Sequence, residues 1–154
     1  MAFESLTGTG SMAHYGVRDV DQKFGGTVSD GSGNKKAVYV WSYDDLPVAG
    51  ASNLQAVIPA GSLITDATMT IITAFAGGTS YLIGLEQSDG TDIDLDGISG
   101  PALALTEMDA AGDAVALTGA LVDGLLALTV DGEVTIAATG TYTAGKARLE
   151  VSYR

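Results

Sequence analysis

Apolar and polar positions alternate with a period of two along much of the chain, in runs separated by breaks rich in glycine, serine and aspartate, the pattern of β-strands joined by tight turns. The clearest run is Lys146–Tyr153, KARLEVSY, which sets Ala147, Leu149, Val151 and Tyr153 on one face and Lys146, Arg148, Glu150 and Ser152 on the other. It predicts a half-buried final strand. Ala37–Asp45, AVYVWSYDD, sets Tyr39, Trp41 and Tyr43 against Val38, Val40 and Ser42. Leu63–Phe75, LITDATMTIITAF, is long enough for a full-length strand, and Thr65, Thr68, Thr70 and Thr73 favour β over helix because branching at Cβ stiffens the side chain.

Turn chemistry suggests how these strands pair. Gly77-Gly78 ends the threonine-rich run, and the connection to Tyr81–Glu86 has hairpin length, so these two segments are expected to be antiparallel partners at the centre of a sandwich. Asp131-Gly132, between LLALTV and EVTIAAT, is the strongest local hairpin signal in the chain. Tyr15–Phe24, closed by Gly25-Gly26, and Leu54–Ile58, closed by Pro59-Ala60-Gly61, read as further strands. The stretch from Ile98 to Leu121 is rich in Ala and Leu but broken at Gly100-Pro101 and Gly112, and fits either a short helix or two strands. No repeat with a period of about 20–50 residues is visible, which argues against a solenoid or propeller.

The expected fold class is therefore all-β: a single-domain antiparallel β-sandwich, jelly-roll-like, with room for one short helix around 101–121. At 154 residues, 46% apolar and 17% charged, the chain is the size of one domain with one core. Residues 1–13 are small and polar and read as a flexible N-terminal arm, and 14–154 as the sandwich. There is no cysteine, so neither disulfides nor thiolate metal sites contribute. No basic start followed by an apolar core marks a signal peptide, no apolar run is long enough to span a bilayer, and no Asn-x-Ser/Thr acceptor occurs.

Charge is distributed unevenly. The formal net charge is −12, yet all seven basic residues, Arg18, Lys23, Lys35, Lys36, Lys146, Arg148 and Arg154, lie toward the two ends. The interval from Ala37 to Gly145 has no Lys or Arg and fourteen acidic residues. Such a surface repels phosphate backbones and anionic lipid, so neither nucleic acid nor membrane is an expected partner. The plainer consequence is solubility.

Catalytic chemistry is not in sight. His14 is the one histidine and sits where the arm meets the first strand. No nucleophile elbow, phosphate-cradling glycine loop or His-rich metal spacing is present. Acidic pairs such as Asp44-Asp45 occupy turn-like, solvated contexts and do not suggest two carboxyls facing across a cleft. Asp92-Ile-Asp94-Leu-Asp96-Gly97 copies the first half of a calcium loop, D-x-D-x-D-G, but Leu103 stands where the bidentate glutamate belongs. The simpler expectation is an edge strand or loop with Ile93, Leu95 and Ile98 inward and the three aspartates in water, so no cofactor is expected and calcium is the one candidate ion. The face of Tyr39, Trp41 and Tyr43 is expected in the core, the alternative being a stacking platform for a carbohydrate.

Three stretches, YGVRDVDQKFGGTVSDGSGNKKAVYVWSYDDLP, VIPAGSLITDATMTIITAFAGGTSYLIGLEQSDGT and TYTAGKARLEVSYR, together spanning most of residues 15–154, resemble decoration (cement, or head auxiliary) proteins of tailed bacteriophages, particularly small β-sandwich capsid proteins of marine phages. The resemblance implies a trimeric sandwich, made in the host cytoplasm, that sits on the outer surface of the head and clamps neighbouring major capsid protein subunits, with no active site. Combined with the charge pattern, it makes Phe3, Met12, Arg18, Lys23, Lys146 and Arg148 the capsid-docking candidates. The rival expectation is a fibre or receptor-binding head, or a carbohydrate-binding β-sandwich.

Overall fold

The computed structural model describes residues 13–15, 25–29, 34–45, 57–124 and 126–154, the first two segments as strand backbone alone. In chain order the strands are β1 (Ala13–Tyr15), β2 (Gly25–Ser29), β3 (Lys35–Ser42), β4 (Val57–Ile58), β5 (Ile64–Gly77), β6 (Ser80–Glu86), β7 (Asp92–Asp94), β8 (Leu103–Ala104), β9 (Ala114–Ala116), β10 (Gly132–Thr139) and β11 (Tyr142–Tyr153). They form two antiparallel sheets. The long sheet has the order β1-β2-β3-β11-β5-β9, and the short sheet β4-β10-β6-β7 with β8 also on β6. From β3 onward, consecutive strands change sheet at every step except β6 to β7 to β8, which is the wiring of a jelly roll.

The last strand organises the long sheet. β11 pairs with β3 from Lys146↔Ser42 to Tyr153↔Lys35 and, on its other side, with β5 from Tyr142↔Gly77 to Tyr153↔Ile64. The alternation seen in the sequence holds here: Ala147, Leu149, Val151 and Tyr153 are buried, while Lys146, Arg148, Glu150 and Ser152 lie on the outer face. Opposite them in the core stand Tyr81, Ile83 and Leu85 of β6 and Val134 and Ile136 of β10. The β5–β11 register shifts at four points; at one of them Lys146 pairs with Thr73 and Ala147 with Ile71, leaving Ile72 as the extra, bulged residue and 45% exposed.

The two hairpins suggested by local turn signals do not form. β5 and β6 lie in different sheets, because the chain leaves the long sheet at Gly77 (φ 73°) and Gly78 (φ 65°) and enters the short one at Ser80. β10 and β11 cross in the same way at Gly140 (φ 85°). The two crossings lie side by side: Thr79 N–H donates to the Thr139 carbonyl at 2.8 Å, and a Cβ on Gly78 would stand 2.3 Å from the Tyr142 ring. Three aromatic rings fill the space beneath, with Phe75 edge-on to Tyr81 (centroids 5.1 Å) and to Tyr142 (5.9 Å), and Tyr81 stacked on Tyr142 (4.5 Å). This burial favours crossing over a flat hairpin.

Asp131-Gly132 likewise turns the chain without pairing what flanks it. Residues 126–130 form no strand, and β10 pairs instead with β4 through Gly132↔Ile58 and Glu133↔Val57. The Asp131 carboxylate accepts from Ala60 N–H at 2.7 Å, and Leu128 is held by the backbone of Gly61 and Ser62. At the start of the chain, Gly25-Gly26 opens β2 where it was expected to close a strand, and residues 16–24 lie outside the described set.

The Ala/Leu-rich stretch forms two short strands and a single 3-10 turn, Leu105–Glu107, in place of a regular helix. It serves as an interrupted edge for both sheets. On the short sheet, β7 and β8 flank a gap closed by Ile98 N–H and Ser99 N–H, both donating to the Ile83 carbonyl, and by the Ser99 hydroxyl, which accepts from Ile83 N–H at 3.1 Å. On the long sheet, the backbone from Met108 to Asp123 follows β5, through Phe75 N–H to Met108 O, β9, and Leu117 N–H to Ala67 O. Helix propensity loses here because every one of these bonds satisfies an otherwise open sheet edge.

The two edges also bond to each other, Gly119 N–H to Ile98 O and Leu121 N–H to Gly97 O, and so seal one side of the sandwich. The approach is close enough that a Cβ on Gly119 would lie 2.2 Å from the Gly97 carbonyl oxygen. Gly119→Ala is therefore expected to cost about 3 kcal/mol and to lower Tm by roughly 6–12 °C for a domain of this size. A thermal melt followed by circular dichroism checks this, and a drop of less than about 2 °C would mean that the seam yields freely.

Candidate docking face

Two segments far apart in the chain carry the described basic residues, and pairing of β3 with β11 brings them together. Lys35 and Lys36 open β3, Lys146 and Arg148 lie on β11, and Arg154 follows it. Lys36, Lys146 and Arg148 share the outer face of the long sheet, since Lys146 stands opposite Ser42, Arg148 opposite Val40, and Lys36 opposite Ser152. Around them lie Thr68 and Thr70 of β5 and Ala114 and Ala116 of β9, short side chains that leave this part of the face flat.

An ion triad anchors the face. Glu150 accepts from Lys36 Nζ at 2.7 Å on one carboxylate oxygen and lies 2.5 Å from Arg148 Nη2 on the other. The Lys36 hydrogen bond first, and the nearby Arg148 charge with it, hold the Glu150 carboxyl below its ordinary range against a smaller opposing effect of burial. The Lys36 and Arg148 side chains remain 50% and 44% exposed, against 23% for Glu150. Val38 and Val40, on the same face of β3, are buried but stand outside the main core cluster.

The opposite side of the molecule is acidic. Glu133, Glu86 and Asp92 occupy one row across the short sheet through Glu133↔Glu86 and Glu86↔Asp92. Glu86 is only 5% exposed, and Glu86 Oε1 and Glu133 Oε2 are buried without a hydrogen-bond partner. Next to this row the chain covers its own sheet: a Cβ on Gly84 would meet the Asp94 carbonyl oxygen at 2.1 Å.

The other sequence candidates fall as follows. Tyr39 and Trp41 are fully buried, as the core expectation had it, and burial pushes the Tyr39 phenol up. Tyr43 leaves the strand in a 3-10 turn and is 39% exposed, so the three aromatics present no common stacking surface. In the half calcium loop Asp92 and Asp96 are exposed and Ile98 is buried, but Leu95 points outward at 43% exposure and Asp94 is half-buried. Burial chiefly raises the Asp94 carboxyl, helped by a hydrogen bond with the Asp96 side chain. Among the described residues no group of three or more His, Cys, Asp or Glu side chains could hold a metal ion, and no helix is long and apolar enough to cross a membrane. Phe3, Met12, Arg18 and Lys23 lie outside the described residues. The sequence missed the triad because strand adjacency, which the sequence does not carry, brings Lys36 to Glu150.

No protein-family model matches the chain, and no curated protein matches it. Among solved structures, a chain of the acidic stable capsid structure of Helicobacter pylori bacteriophage KHP30 is similar, with a TM-score of 0.55 and 15% identity over 92% of this chain and 92% of that one. At that identity the likeness is one of fold. The class of protein defined here is thus a jelly-roll sandwich whose long sheet carries Lys36, Lys146 and Arg148 on its outer face.

Two measurements test the site's electrostatics. A carboxyl with a depressed folded-state pKa contributes stability above the pKa of the unfolded chain and loses it as pH falls through the folded one. Glu150→Gln should therefore lower stability near neutral pH, by less than about 1 kcal/mol for so exposed a network, and the difference from wild type should close as pH falls below the ordinary glutamate value of 4.5. Melts across pH check this, and a difference that is constant with pH would remove the charge from the account. Separately, millimolar calcium should leave Tm unchanged; a rise of several degrees would show a native-state site at Asp92–Gly97.

Proposed function

We propose that this chain is a bacteriophage capsid protein in the decoration, or cement, role, bound to the outer surface of the head and bridging neighbouring major capsid protein subunits. The observation that carries the reading is the jelly-roll likeness to a capsid chain over nearly the full length of both proteins. The three sequence stretches that resemble decoration proteins point the same way. The chain is made in the host cytoplasm, ends on the virion and acts as a homotrimer, so that weak contacts repeated by symmetry add into firm attachment. It performs no catalysis and binds neither nucleic acid nor membrane, in keeping with its −12 charge. A carbohydrate-binding role loses its basis, because Tyr39 and Trp41 lie in the core.

The outer face of the long sheet turns toward the capsid, and the acidic side toward solvent. The part of the arm that precedes β1, residues 1–12, contacts the head. Cryo-electron images of the full chain mixed with undecorated heads should show knobs at three-fold or local three-fold positions; a lone fibre at a vertex or tail would favour the receptor-binding reading. Deleting residues 1–12, which leaves β1 whole, should lower occupancy on the same heads, and undiminished occupancy would remove the arm from the account.

A further inference from the structure

We propose that the outer face of the long sheet, centred on the Lys36–Glu150–Arg148 triad, is a receptor for carboxylate side chains presented by another protein, with Lys36, Lys146 and Arg148 as the contacts. The identity of that partner rests on the capsid reading; the chemistry of the face does not.

Three observations lead there. The triad displays what the face binds, since the two oxygens of one carboxylate are each taken by a different cation, Lys36 on Oε2 and Arg148 on Oε1. Neither cation is used up: an ammonium has three N–H donors and a guanidinium five, and each of these spends one on Glu150 in a side chain about half exposed. Three of the described basic residues, Lys36, Lys146 and Arg148, gather on one face of a chain whose net charge is −12, with Glu150 and Asp66 beside them.

The rest of the face permits a flat approach. Thr68, Thr70, Ala114 and Ala116 are short and at least partly exposed, so a partner surface can come within reach of the cations without first displacing bulky side chains. A nucleic-acid strand is a poor fit, because three cations on one small face engage few phosphates while the remaining acidic surface repels the polyanion. Discrete carboxylates at contact range feel mainly the nearby cations, the distant charges being screened over about 10 Å at ordinary salt.

The test uses the full chain, a fluorescent poly-glutamate peptide, a duplex DNA fragment of similar charge, and undecorated phage heads. Lys36→Glu/Arg148→Glu, shown to be folded by its melt, should bind both peptide and heads about tenfold or more weakly, with a flatter dependence on salt. Glu150→Gln should bind the peptide at least as tightly as wild type, which a purely structural role for the triad would not produce. If the double variant fails to fold, Lys146→Glu, which disturbs no ion pair of the triad, carries the same comparison. Unchanged peptide affinity in the charge-reversed variant overturns the proposal. So does DNA that displaces the peptide at equal charge, and so does sedimentation showing that the face instead joins two copies of this chain. Loss of peptide binding by the variant, in a wild-type chain that ignores phage heads, would uphold the carboxylate receptor and refute the capsid reading.

Discussion

Insertion of β11 between β3 and β5 is the interaction on which the rest of the molecule depends. A strand of twelve residues, hydrogen-bonded along both sides, supplies five of the core's side chains and joins the two halves of the long sheet. With β11 in that place, β5 and β10 cannot both end in simple hairpins. Each crosses to the other sheet, and the crossings meet over the Phe75, Tyr81 and Tyr142 cluster. The glycines at 77, 78 and 140 permit those crossings through left-handed backbone that a side chain would resist.

The same insertion produces the charged face. A sandwich with acidic residues throughout its middle and basic residues toward its ends could have had two separate basic tips. Pairing end against end merges them into one face, where Glu150 links a lysine of β3 to an arginine of its own strand. Along the β9 edge the Asp94–Gly100 turn and the Gly119 seam close the sandwich with backbone bonds, so that it presents no long unpaired strand there. The polarity of the molecule and its topology have one cause.

Particular elements show which kinds of inference from sequence succeed. Alternation in Lys146–Tyr153 predicted the inward and outward faces of β11 residue by residue, because period two is a local property of extended backbone. The aromatic face of Ala37–Asp45 was correctly expected in the core for Tyr39 and Trp41, and missed Tyr43 where the strand ends. Pairing was a different matter. Gly77-Gly78 and Asp131-Gly132 both turn the chain, yet neither joins hydrogen-bonded neighbours, since a glycine turn serves a crossing between sheets as well as a hairpin within one. Ile98–Leu121 was ambiguous because its Ala and Leu content favours helix, while the open edge of β5 that draws it into strand is formed elsewhere in the chain.

By itself, then, the sequence determined the all-β class, the inward and outward faces of its most regular strands, and the confinement of basic charge to the two ends, all of them consequences of residue type and spacing. The tertiary structure alone decided which strands neighbour one another, and with that the jelly-roll wiring, the seam at Gly119, and the meeting of Lys36, Glu150 and Arg148. Local turns leave partner choice open; burial of the shared core and satisfaction of sheet edges settle it, and both are properties of the whole chain.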